Sequence, residues 1–232
     1  MPVLRLGTYL TSATEGALAD TPYGDLAGYD LADFLARWPA LHAAALTLLG
    51  EARIHPTARV HPTAIIGDEV ILGPHTTVHE FTTVRGPAVV AAGAQIGFNC
   101  EVTHTYIGEH TVLGHRIGLN RTLVGTGVHL SSSVTVAAIH ISEDMRHPHR
   151  EVILRGDDGL YRCATPRFGG LIGDQTQTGH NIALGPGIAL GRSCRIDSGV
   201  TLAARIIPAH HTLSAPHATD TRLRAQRSRQ DQ

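Results

Sequence analysis

The chain contains no lysine: all 19 of its basic residues are arginine, set against 20 Asp and Glu for a formal net charge of -1. The absence removes every mechanism that needs an amine side chain, Schiff-base chemistry first among them. A net charge this small leaves nothing in the bulk electrostatics to recruit nucleic acid or an anionic membrane. Aromatic residues are scarce at 4%, while glycine is plentiful at 25 residues, a mixture suited to thin stacked layers rather than a core of large rings. The three cysteines, Cys100, Cys163 and Cys194, are an odd number without a CxxC pair, so no disulfide framework or thiolate metal site is indicated. No apolar run approaches the roughly 18 residues of a membrane span. The opening MPVLRLGTYLTSATEG lacks the charged start and long apolar stretch of a secretory signal. A cytoplasmic location is expected.

What is present is a repeat. Ile54, Val60, Ile66, Leu72, Val78, Val84, Val90, Ile96 and Val102 are nine aliphatic residues at a strict step of six. Small or β-branched residues recur four positions later, among them Ala58, Ala64, Thr76, Thr82, Ala94 and Cys100. A helix cannot hold a period of six on one face, and a flat strand alternates at two. A coil with three short sides satisfies both facts, each side pointing its aliphatic residue inward. This is the hexapeptide signature of a parallel β-helix. The register slips by one at Ile107 and again at Val124, is lost between His140 and Phe168, and resumes at Ile172 through Leu202. The interruption holds a predicted hairpin, Val152–Leu154 against Leu160–Arg162 across Gly156-Asp157-Asp158-Gly159. It reads as a loop over 140–168, extruded from one corner and able to reach a neighbouring chain.

Ahead of the repeat, residues 1–29 have no strong period. Leu31, Phe34, Leu35, Trp38 and Leu41 then fall mainly on one helical stripe, with Asp30 as N-cap and Gly50 as stop. Pro39 inside this stretch predicts a kink or two short helices, placed to cap one end of the solenoid. The expected division is a lead-in and helical cap over 1–51, a β-helix over 52–210, and a flexible Arg-rich tail over 211–232. Cys100 and Cys194 fall in the small inward column and read as core.

Three segments carry a family resemblance over about Ala52 to Arg205: TTVRGPAVV, GHRIGLNRTLVGTGVHLSSSVTV and PRFGGLIGDQTQTGHNIALGPGIALG. They resemble the acetyltransferase domain of sugar-1-phosphate nucleotidylyltransferase/glucosamine-1-phosphate acetyltransferases, whose Gly-rich nucleotide loop is absent here. The resemblance implies a left-handed β-helix, a homotrimer, and a CoA-dependent N-acyltransferase acting on an amino sugar (phosphate) or related small amine. It places His115 on the family's catalytic base and the backbone N–H of Ser132 at the oxyanion. Arg85 falls on the sugar-phosphate arginine, and Glu101, Gly118 and His129 fall on substrate-binding positions. Acetyl-CoA or another acyl-CoA is the implied co-substrate, with Ala138, Gly170, Gly187 and Arg205 at positions that would line it. The chain departs from the pattern: a family tyrosine is Gly118, two asparagines are His129 and Ala138, and a lysine is Thr103. These departures point to a changed acceptor or to lost activity.

Two other classes stand beside this one. A carbonic-anhydrase-like zinc enzyme shares the fold class, and His79 and His115 match part of its ligand spacing. Its last ligand position holds Asn120, a poor zinc donor, so no metal is expected. A non-catalytic trimeric scaffold predicts no CoA binding at all.

Overall fold

The computed structural model describes residues 3–215. The repeat forms a left-handed parallel β-helix whose coils stack with purely parallel pairing. Arg59 pairs with Thr77 a coil later, 18 residues on, whereas Gln95 pairs with Val112 and Val112 with His129 at 17. The register slips visible in the sequence are therefore coils shortened by one residue.

The prism has three sides. The first is a stack of seven strands, from Val70–Leu72 through Ala88–Val90, Tyr106–Ile107, Thr122–Val124, Gly170–Ile172 and Ile188–Leu190 to Ile206–Ile207. The second and third are joined into one sheet by the strand His129–Val136, which runs around the edge between them. The aliphatic column points inward on all three sides: Leu72, Val78 and Val84 belong to one coil, Leu190 and Ile196 to a later one, and all are buried in a single core. The small residues of the repeat fill the corners, where buried hydroxyls find carbonyls. Thr82 Oγ1 donates to the Gly97 carbonyl at 2.6 Å and Thr111 Oγ1 to that of Gly125 at 2.6 Å, which satisfies polar atoms inside the coil.

The N-terminal segment departs from expectation. Residues 3–29 fold into three short 3-10 helices, Leu6–Thr8, Gly16–Asp20 and Pro22–Gly28. Helix α1 then runs unbroken from Leu31 to Leu49, with Asp30 capping it by accepting from the Ala32 N–H. Pro39 does not divide it. The proline is on the exposed face, where the carbonyl one turn earlier can be hydrated rather than buried without a partner. Nor does this segment cap an end of the solenoid; Val60, an inward residue of the first coil, stays 38% exposed. Instead it lies along the first side. Leu6, Leu10, Tyr23, Leu26, Phe34 and Trp38 form a second core with Ile71, Val89, Tyr106, Leu123, Leu171 and Ala189, the outward residues of that side. Its strands are accordingly buried on both faces, as strands covered from both directions are.

Within this second core, Trp38 Nε1 donates to Tyr23 Oη at 3.0 Å, and Tyr23 Oη lies 2.7 Å from His42 Nδ1. His42 Nε2 completes the relay at 2.8 Å from the Glu69 carbonyl. That carbonyl can only accept, so His42 carries its proton on Nε2 and accepts a hydrogen bond from the Tyr23 hydroxyl at Nδ1. Burial, the dominant effect, pushes the His42 imidazole below its ordinary value. Tyr106 stacks on Tyr23 at 5.5 Å, but its own hydroxyl is buried without a partner. Tyr106→Phe removes an unpaid desolvation cost and should raise stability by about 1 kcal/mol, measured as a higher urea midpoint at unchanged slope; a lower midpoint would mean the hydroxyl is satisfied.

The interruption of the repeat also folds differently from expectation. Ile153–Gly156 pairs antiparallel with Gly159–Arg162 around Asp157-Asp158, so the hairpin is present. It does not reach outward. Val152, Leu154, Tyr161 and Cys163 are buried in the second core, and Tyr161 Oη donates to Asp30 Oδ1 at 2.6 Å. The portion before it remains on the surface, with Ile141 fully exposed. At the C-terminal end Thr212–Leu213 pairs with Arg195–Ile196, extending the β-helix past residue 210. The remainder of the expected tail lies outside the described residues. All three cysteines are free and buried.

Candidate active site

The edge between the second and third sides is built from one turn per coil. Phe81, Asn99, Arg116, Ser133 and Asn181 occupy the same place in successive coils, each with a left-handed φ between 52° and 57°. The residue before each of them stands at the crest, which brings His115, Ser132 and His180 into one column. Ser132 is the Cα partner of His115 on one side and of His180 on the other. Neighbouring coils are roughly 4.8 Å apart, the spacing of hydrogen-bonded strands. Gly114 allows this approach: a Cβ there would stand 1.6 Å from the Ser131 carbonyl oxygen.

Two hollows flank this edge. The one on the second side is lined by His79, Glu80, His115, His129 and Ser132 over a floor that includes Gly97 and Gly114. His115 and His129 are exposed and Ser132 is half-buried. The structure thus brings together three of the residues singled out by sequence, His115, Ser132 and His129. The hollow on the third side is lined by Arg85, Glu101, Gly118 and Arg116. Gly118 pairs with Glu101, and Thr103 with Arg85, in the ladder beneath it. Arg85 is not a free anion clamp here. Its guanidinium is paired with the Glu101 carboxylate and reaches Thr103 Oγ1 at 3.4 Å. Both partners are 59% exposed, so the pair is weakly held and an incoming anion would compete with Glu101.

Two residues were not anticipated. Arg116 stands on the edge and donates to Ser132 Oγ and Ser133 Oγ, each at 3.3 Å. It places a cation beside His115, and the GHR triplet was the available signal. His180 lies on the coil after Ser132, its Nδ1 3.0 Å from Ser198 Oγ. Its link to His115 runs across the 140–168 interruption, so no spacing in the sequence reveals it.

The expected CoA contacts are not assembled as a surface. Ala138 and Gly170 are buried. Gly187 lies under the hairpin, where a Cβ would come 2.8 Å from Val152 Cγ1. The interruption folds back over this corner and covers these three within their own chain; Arg205, beside Arg155, remains exposed. For the zinc alternative, His79 and His115 do share a hollow, but Asn120 sits at the end of the third side opposite Thr103. Among the described residues no group of three or more His, Cys, Asp or Glu converges as a metal site.

The model of the GMPPB C-terminal domain family matches residues 48–153, from the end of helix α1 through the first run of six-residue repeats into the interruption. By fold, the chain is a hexapeptide-repeat β-helix. No curated protein matches its sequence. Among solved structures, this β-helix is similar to the acetyltransferase domain of PglB from Neisseria gonorrhoeae in complex with acetyl coenzyme A. The identity is 18%, over 71% of this chain and 61% of that one, with a TM-score of 0.35. It is also similar to perosamine N-acetyltransferase from Caulobacter crescentus in complex with CoA and GDP-perosamine, at 14% identity, 75% and 62% coverage and a TM-score of 0.26. A third is AntD, an N-acyltransferase from Bacillus cereus in complex with dTDP and 3-hydroxybutyryl-CoA, at 11% identity, 69% and 76% coverage and a TM-score of 0.38. At these identities the likeness is one of fold. The β-helix spans less than two thirds of the PglB domain and of the perosamine enzyme.

Proposed function

We propose that the protein is an acyl-CoA-dependent N-acyltransferase acting on a small amine, with an amino sugar or its phosphate as the favoured acceptor class. The observation that carries this reading is the register of His115 with Ser132 on adjacent coils, at an exposed edge that also presents His129. An amine attacking a thioester carbonyl must lose a proton, and an imidazole accepts one at neutral pH. The amine nitrogen forms the new C–N bond, the His115 imidazole takes its proton, and the Ser132 N–H steadies the oxyanion. Collapse breaks the C–S bond, and the proton held on His115 passes to the departing CoA thiolate.

The site is completed by a second copy of the chain. His115 and Arg85 occupy hollows on opposite flanks of one edge, so a single prism cannot turn both toward one ligand. Three-fold association sets the His115 hollow of one chain against the Arg85 hollow of the next, in the closed symmetry usual for oligomers. Phe81 and Phe98, packed edge to face at 5.8 Å and exposed on that edge, supply apolar area for the contact.

Thermal unfolding with acetyl-CoA tests the reading. A ligand at about 100 times its Kd adds roughly 2.7 kcal/mol, expected here as a rise of about 5–10 °C. A melting temperature unmoved by CoA and by acetyl-CoA would leave the silent scaffold as the better account.

A further inference from the structure

A second cleft lies at a different edge of the prism, between the third and first sides, where helix α1 and the interruption both meet the coils. Leu35 and Trp38 form its apolar wall, His104 and Arg121 come from successive coils, and Thr165 and Arg167 from the end of the interruption. Its enclosed volume is about 60 Å³. What sets it apart is positive charge held in no ion pair among the described residues. Arg121 is half-buried, and among the described residues its guanidinium has no hydrogen-bond acceptor and no carboxylate within 4.0 Å. Arg167 gives one N–H to the Arg146 carbonyl at 2.6 Å and likewise pairs with no acid. Both arginines depress the His104 imidazole, after burial as the main cause, and only the Glu69 carboxylate opposes them. Burial and then Arg167 also lower Arg121.

Half-burying a guanidinium beside a second one costs free energy that the protein's own groups do not return. Such an arrangement is favourable when an anion occupies it. We infer that this cleft binds a phosphate group, free or as the phosphomonoester of a small molecule whose organic part lies against Leu35 and Trp38. Two planar guanidinium forks and an imidazole offer convergent donors to several oxygens at once, which suits a tetrahedral dianion better than a single carboxylate. The cleft is separate from the His115 edge, so the inference stands or falls independently of the acyl-transfer reading.

Trp38 is the sole tryptophan and lines this cleft, so its emission reports occupancy directly. The full chain is titrated with sodium phosphate, and with sodium chloride at matched ionic strength. Wild type is expected to show a saturable change with phosphate alone. Arg121→Gln and Arg167→Gln should each weaken apparent binding about ten- to a hundred-fold, as for loss of a charged hydrogen bond. Arg162→Gln, whose side chain pairs with Glu151 elsewhere, should titrate like wild type. Without phosphate, Arg121→Gln should also melt higher than wild type, because like-charge repulsion is relieved; a merely structural arginine would move the melting point the other way. The inference is overturned by a wild-type chain with no saturable response, by an unchanged response in Arg167→Gln, or by an equal loss in Arg162→Gln. Arg167 comes from the interruption rather than the coils, so its variant decides the question even where Arg121→Gln fails to fold.

Discussion

His115→Ala should lower kcat on the order of 10²–10⁴-fold, the range typical for loss of a general base, while leaving the fold and the response to acetyl-CoA intact. The imidazole is exposed and makes no hydrogen bond within the described residues, so its removal should shift the melting temperature by no more than about 1–2 °C. His129→Ala and His180→Ala serve as comparisons. Both imidazoles are near the same edge, but neither is the coil partner of the Ser132 donor on the His115 side. If His115→Ala turns over at the wild-type rate, the mechanism is wrong. If His180→Ala shows the large loss instead, the base belongs one coil further along the same column.

Asp174→Ala should be the most destabilising single change outside the hydrophobic core. The carboxylate is 4% exposed, and its oxygens are shared among partners from both ends of the chain. Oδ1 accepts from the Thr126 N–H at 2.8 Å, Oδ2 accepts from Thr11 Oγ1 at 2.7 Å, and Arg192 pairs with Oδ2 at 3.1 Å. Arg192 in turn donates to the Gly7 and Thr8 carbonyls. Removing the carboxylate leaves a cation and several donors without partners, a loss of about 3–5 kcal/mol, or roughly 6–20 °C at this chain length. Glu109 grips the same segment two coils away, accepting from the Thr14 and Glu15 N–H groups at 2.6 and 2.8 Å. The variant should therefore expose the first side and bind a hydrophobic dye before the coils themselves unfold. A single transition at the wild-type temperature would mean that apolar packing alone holds the N-terminal segment in place.

The particular residues show why some features were legible and others not. Ile54 to Val102 at a step of six, the slips at Ile107 and Val124, and the turn Asp157-Asp158 are statements about neighbours in the chain, and the structure repeats them. The covered first side was also written in the sequence, in a form easy to pass over. Val70-Ile71-Leu72, Ala88-Val89-Val90 and Ile188-Ala189-Leu190 are apolar at three successive positions, whereas a strand with one wet face alternates. Those runs announce a cover without naming it.

What the sequence alone determined was the coil: its period, its inward column and the slips of its register. Those follow from side-chain spacing along a backbone that pairs with itself one turn later, so local order is enough. Only the tertiary structure decided that the N-terminal segment lies along a flank rather than over an end, and that the hairpin folds onto Asp30. It also decided that Arg85 is already paired with Glu101 and that Arg121 meets Arg167 in a cleft where no carboxylate pairs with either. Each of these depends on where charged and apolar groups distant in the chain find their partners, and burial and pairing between such groups have no period to read.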